Sequence, residues 1–146
     1  MSIEQTVARE ARRHHVLIAV FCGGALGTLA RAASSSTFSH APDRWPWATL
    51  AVNVVGTLLL GWWSTRLMRS PDVDPRLRPF LATGICGGLT TFSTLQIELV
   101  LMLDAHAYAL ATGYAATTIV LGLVAIVAGQ QAAHAHHRRQ RRSGRR

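Results

Sequence analysis

The chain has 146 residues, a formal net charge of +8 and 49% apolar residues, yet its charges are confined almost entirely to tails and loops. Four stretches approach the roughly 20 predominantly apolar residues that one crossing of a hydrocarbon core requires: about Val16–Ala33, Pro46–Ser64, Phe80–Leu103 and Tyr108–Gln130. So much uninterrupted apolar length excludes an ordinary soluble domain and predicts an all-α, polytopic membrane domain over 1–130, followed by a basic segment 131–146.

Residues 1–15 read as a polar lead-in, compatible with a helix, carrying Arg9, Arg12 and Arg13. Arg12–His15 followed by an apolar run and the small residues Ala30 and Ala32 has the outline of a secretory signal, but the later segments are as apolar, so the first is read as a retained span. That span contains Gly23-Gly-Ala-Leu-Gly27, a small-xxx-small pattern suited to close helix contact. Without a strand before it or a Lys after it, the pattern is not a phosphate loop. Arg31 lies near the end of the span, where a long side chain snorkels or pairs.

After a loop holding Ser34–Ser36, His40 and Pro42, the second helix opens near Pro46, a residue tolerated in a first turn. Trp45 and Trp47 at one end and Trp62 and Trp63 at the other mark the two interfaces, with Trp47 and Trp62 about 22 Å apart along the axis. Asn53 lies near the middle of this span, on the same face as Gly56, and its amide offers N–H donors to an anion. The connection 70–78, with Pro71 and Pro75 and then Pro79, cannot be one intact helix.

The third segment is chemically unusual. Phe80–Leu95 places Gly84, Gly87 and Gly88 among Thr90, Thr91, Ser93 and Thr94 at mid-membrane. Each glycine weakens a helix by about 1 kcal/mol relative to Ala, and open backbone at this depth is allowed only within protein or against a polar cavity. Two readings follow: a broken helix that exposes carbonyls or N–H groups to an ion, or close packing through small residues. Glu98, four residues after Thr94, is in line with a vestibule of such a path, or else serves as a structural cap or salt-bridge partner. The fourth span repeats Tyr114, Thr118 and Gly122 at intervals of four, a further polar stripe. Beyond Gln130 the tail shows no apolar periodicity and is expected to be disordered, its histidines inert.

Every basic side chain is arginine. Arg9, Arg12 and Arg13, then Arg66, Arg69, Arg76 and Arg78, then the run from Arg138 to Arg146 all fall on one side of a four-span topology, while Arg44 with Asp43, and Asp104 with His106, fall on the other. The positive-inside rule then places both termini in the cytoplasm. The basic tail reads as a topology determinant touching anionic lipid rather than as a nucleic-acid site. Cys22 and Cys86 read as small packing residues, and no nucleophile is paired with a base, so no enzyme is expected.

These motifs resemble the Fluc (CrcB) family of bacterial fluoride channels, across roughly Val16–Val127. The matching stretches are Gly23–Arg31, Val52-Asn53-Val-Val-Gly56, Gly87-Gly-Leu-Thr-Thr-Phe-Ser-Thr94 with Glu98, and Tyr114. The resemblance implies a passive fluoride channel of the bacterial inner membrane, built as an antiparallel dimer with two pores and a central structural sodium ion. It implies Gly87 and Thr90 as carbonyl donors to the sodium, and Asn53, Phe92, Ser93, Thr94, Tyr114 and Thr118 along the fluoride path, with the Phe92 ring edge facing the anion. Arg31 and Glu98 occupy its structural or vestibule positions.

Three departures stand out. Leu95 occupies the place where the family usually has a second phenylalanine; Thr118 and Gly122 replace expected serines; and the arginine bias fixes a single orientation, whereas homodimers in the family tend to balance their loop charge. Together they imply pairing with an oppositely oriented homologous subunit. A small multidrug-type transporter would need an acid within the first span, and the acid here is Glu98 in the third. A non-transporting scaffold leaves the glycine-broken helix unexplained.

Overall fold

In a computed structural model of the chain, the backbone is described for residues 3–37, 44–69 and 73–143, so His40, Pro42, Asp43 and Pro71 lie outside the described residues. Those residues are all-helical where they are regular: α1 (Ile3–Thr37), α2 (Trp47–Met68), a π-helical segment Pro79–Ile85 continuing into α3 (Cys86–Leu89), α4 (Phe92–Asp104) and α5 (Tyr108–Ser143). Four stretches are long and apolar enough to cross a membrane: Arg13–Thr37, Trp47–Met68, Pro79–Asp104 and Tyr108–Arg138. The protein is therefore a multi-pass membrane protein with the third span interrupted.

One end differs from the sequence expectation. The first helix begins at Ile3, so the polar lead-in is helical, whereas α5 continues to Ser143 although residues 131–146 were expected to form a disordered tail. Residues 130–143 contain no Gly or Pro to stop a helix, and Ala, Gln and Arg propagate one well. His136 also holds this extension to α2: its ring meets that of Trp62 edge-on at 5.9 Å, and its Nδ1 lies 3.0 Å from Arg66 Nη1. Hydropathy reports where the membrane ends, which need not be where the helix ends.

The spans pack in two pairs, α1 along the Pro79–Leu89 stretch and α2 along α5. The first pair is possible only because both partners are glycine-rich. A Cβ on Gly27 would collide with the Ile85 carbonyl, and one on Gly88 with the Gly24 carbonyl. The close-packing reading holds for Gly84 and Gly88, while a Cβ on Gly87 would meet nothing within 4 Å. The second half of the third segment is held by a compact core of Leu50, Met102, Ala111 and Tyr114, with Trp45, Leu95 and Leu99 around it.

Between α4 and α5 the chain reverses over Ala105–Ala107 with His106 in the left-handed region at φ 60°. Among the described residues Cys22 and Cys86 are both free thiols. No more than 33% of the residues in any span's most apolar window are buried within the chain. Large apolar side chains such as Phe21, Leu29, Ile119 and Leu123 stand exposed, as expected of surfaces that meet lipid or another subunit.

Overpacking the α1 contact should be costly. Gly27→Val or Gly88→Val is expected to lower stability by about 1–3 kcal/mol, read as a lower melting temperature in detergent, while Gly87→Ala has no steric penalty. Equal melting of all three would contradict the glycine-to-glycine contact.

Candidate ion-conducting groove

The centre of the molecule is the two-residue gap between α3 and α4. Thr90 (φ −76°, ψ 151°) and Thr91 (φ −144°, ψ 123°) are extended, so the helical hydrogen-bond ladder stops at mid-span. Asn53, from the middle of α2, closes the exposed backbone: its Oδ1 accepts from Thr91 N–H at 2.7 Å and its Nδ2 donates to the Thr91 carbonyl at 3.1 Å. A single amide thereby replaces the pairing a helix would have supplied.

Several carbonyls lose their regular partners in this arrangement, Gly87 and Thr90 among them. The Thr91 N–H that would close onto the Gly87 carbonyl goes to Asn53 instead. The Thr94 N–H that would close onto the Thr90 carbonyl is taken by Thr91 Oγ1 at 3.2 Å, which caps α4. The neighbouring Gly88 carbonyl has a different fate, accepting from Arg31 Nε at 3.1 Å. Arg31 thus pairs with the broken backbone from within the first span.

Beside the gap lies an open groove of about 570 Å³. Asn53, Gly87, Thr90, Thr91, Phe92 and Thr118 are on its wall, together with Leu95 and Gly122. The Phe92 side chain is 71% exposed. Thr118 Oγ1 is buried and has no hydrogen-bond partner among the described residues. Thr94 is half-buried, accepting from Thr91 Oγ1 at 3.0 Å, and Ser93 is exposed on the first turn of α4, 3.3 Å from the same hydroxyl.

Glu98 and Tyr114 are elsewhere. Both are buried in a second polar cluster, in which the Glu98 carboxyl accepts from Thr49 Oγ1 at 2.5 Å and from the Tyr114 hydroxyl at 2.7 Å. Glu98 is held by hydroxyl donors, and neither residue lines the groove. The stripe Tyr114–Thr118–Gly122 therefore begins inside the protein and emerges at the groove. Trp45 covers the cluster, its ring edge-on to Tyr114 at 5.7 Å.

Sequence reasoning did not single out Thr49 or the capping role of Thr91. Thr49 precedes Asn53 by four residues and so shares its helical face; Thr91 begins the run Thr91-Phe-Ser-Thr94, a hydroxyl residue just ahead of an apolar helix.

The family model described as CrcB-like protein, Camphor Resistance (CrcB), matches residues 18–130. The chain belongs to the CrcB family. Its relatives include a protein of Mycolicibacterium paratuberculosis named fluoride-specific ion channel FluC 1, 52% identical over 110 residues that make up 75% of this chain and 83% of that one. A fluoride-specific ion channel FluC of Azotobacter vinelandii is 42% identical over 115 residues, 78% of this chain and 93% of the other. One of Bacteroides fragilis is 38% identical over 117 residues, 77% and 91% respectively. The CrcB match begins and ends within the four spans, so α1 before Ile18 and α5 beyond Gln130 lie outside it.

Two substitutions separate the roles of the clusters. Asn53→Leu orphans the Thr91 N–H and carbonyl, at about 1–3 kcal/mol each, and should accelerate amide exchange at Thr91; Asn53→Asp keeps the acceptor and loses the donor, so its effect falls between. Unchanged exchange in Asn53→Leu would show that the clamp does not hold the break. Tyr114→Phe removes one donor from Glu98 and should lower the melting temperature, as should Thr49→Val, by an amount equivalent to about 1–3 kcal/mol each.

Proposed function

We propose that the chain is a non-enzymatic subunit of a fluoride-specific channel, which lets fluoride leave the cell passively and so lowers its cytoplasmic concentration. The observation that carries this reading is that relatives 38 to 52% identical over about three quarters of the chain are named fluoride-specific ion channels. The groove supports it chemically. Fluoride is small and tightly hydrated, and it crosses a low-dielectric layer only where donors replace its water. In this reading the Thr118 hydroxyl and the Asn53 amide contribute donors, the exposed Phe92 contributes the positive edge of its ring, and Ser93 and Thr94 extend the polar track along α4. Arg31 and Asn53 act on the backbone that carries these groups. Tyr114 and Glu98, buried together, fix α4 against α5. A proton-coupled carrier is a poorer fit, since Glu98 is enclosed by Thr49 and Tyr114.

The groove is open on one side, so a complete pathway needs a second wall. We infer an antiparallel dimer, with both termini of this chain in the cytoplasm of a bacterial cell and the arginine bias fixing that orientation. Leu95, half-buried on the groove wall, lacks the aromatic edge that the resemblance leads one to expect there. An oppositely oriented homologous subunit supplies it in this reading. The carbonyls released at Gly87 and Thr90 suit a structural sodium ion at the dimer centre, because unwound backbone oxygens are typical sodium donors in membrane proteins. The open space at Gly87 leaves room for a second subunit to approach. A bound sodium would neutralise those carbonyl dipoles between the subunits.

The test is electrode-detected fluoride efflux from liposomes, with this chain alone and with a candidate partner subunit. Fluoride is expected to leave far faster than chloride when the partner is present, and Phe92→Ile is expected to slow it at least about tenfold, the loss of one favourable contact of about 1.4 kcal/mol. Replacing sodium by a large organic cation during assembly should reduce active dimers. Chloride efflux as fast as fluoride would overturn the channel assignment, and robust efflux by the chain alone would overturn the heterodimer.

A further inference from the structure

At the basic end of the molecule α5 carries a feature that ion conduction does not use. The helix has 36 residues, about 54 Å at 1.5 Å per residue, against a hydrocarbon core of about 30 Å. Its last turns must therefore leave the apolar layer. The depth at which they do so is marked by Trp62, an aromatic residue of the interfacial kind, whose ring contacts that of His136. Residues 134–138 accordingly lie at headgroup level.

On a different face from His136, Val127, Gln131, His134 and Arg138 follow one another at intervals of four, three and four, and so form one stripe of the helix. With Gln130 and Ala135 they line a shallow hollow of about 450 Å³. Its membrane end is apolar, formed by the half-exposed Val127. Toward the headgroups it is lined with donors: the glutamine amides, the His134 imidazole and the Arg138 guanidinium. Neither His134 nor Arg138 takes part in a hydrogen bond or ion pair among the described residues. The surroundings are predominantly basic: Arg66, Arg69, Arg76 and Arg78 lie at the same end with the tail arginines, outnumbering the acids Glu4, Glu10, Asp72 and Asp74, and Asp74 faces Arg76 at 4.0 Å. Arg139, Arg141 and Arg142 continue the run.

We propose that this stripe seats an anionic phospholipid of the adjoining leaflet. The phosphate pairs with Arg138, whose planar fork can hold two phosphate oxygens at once, and accepts a hydrogen bond from His134. The glutamine amides reach the ester region, and an acyl chain lies along Val127. Charge and depth together select this occupant: a zwitterionic lipid gains less from Arg138, and a soluble nucleic acid gains nothing from a hollow with an apolar membrane end. The proposal rests on α5 crossing the bilayer and not on the identity of the transported ion.

The full-length chain, in the assembly in which it is purified, is equilibrated with mixed phosphatidylglycerol and phosphatidylcholine vesicles, extracted gently and examined by native mass spectrometry. Preferential retention of phosphatidylglycerol is expected, reduced about fivefold by Arg138→Gln and similarly by Gln131→Trp, which fills the hollow without changing charge. Arg78→Gln should leave retention unchanged, and inorganic phosphate should not displace the lipid. Equal retention of the two lipids, parent-like retention in both hollow variants, or displacement by inorganic phosphate or a short RNA would overturn the proposal. Loss of fluoride efflux in Phe92→Ile with lipid retention intact keeps the two readings separable.

Discussion

A bilayer offers no water to satisfy a peptide group, so a helix that stops at mid-span must hand its N–H and carbonyl groups to other protein atoms. Here that demand is met chiefly by Asn53. Its amide takes both polar groups of Thr91, Thr91 in turn caps α4, and Arg31 takes the Gly88 carbonyl. The Gly87 and Thr90 carbonyls are among those released at the break. Much of the chemistry of the centre follows from which backbone groups the protein satisfies itself.

The clamp works only if α1, α2 and the broken segment approach closely, and the glycines permit that approach. Gly23 and Gly27 meet Gly84 and Gly88 backbone to backbone, which brings Arg31 within reach of the gap. Close packing and an interrupted helix, which compete as readings of the glycines when the sequence is read alone, occur together in this segment. The helix must be broken to release carbonyls, and glycine-rich to let a neighbour stabilise the break.

The two polar clusters divide the third span between them. On the near side of α4 the groups around Thr91 and Phe92 face an open groove, where side chains remain available to a small anion. Further along, Glu98 is enclosed by Thr49 and Tyr114 under the edge of Trp45. A carboxyl in a low-dielectric interior is tolerated only when its oxygens are hydrogen-bonded, and two hydroxyls from different helices meet that need while locking α2, α4 and α5 together. Their cost and their rigidity belong to the scaffold that holds the groove open.

The spans, their number, the interruption of the third and the one-sided arginines were legible in the sequence because each depends on composition or local spacing. The transfer cost of apolar stretches, the turn chemistry of proline and glycine, and the positive-inside rule act residue by residue. Motif order also sufficed to point to the CrcB family. What the sequence could not decide was which polar residues meet. Asn53 and Thr91 are 38 positions apart and Thr49 and Glu98 are 49 apart, and helical periodicity states which face a residue occupies without stating which helix that face will meet. The continuation of α5 past Gln130 was hidden for a related reason: the apolar signal ends with the membrane, whereas the helix persists on backbone propensity and on the contact of His136 with Trp62. Tertiary packing alone separated Tyr114, buried with Glu98, from Thr118 beside the groove: the two share a helix face, and it is the step of about 6 Å along the axis that takes one past the end of the packed core.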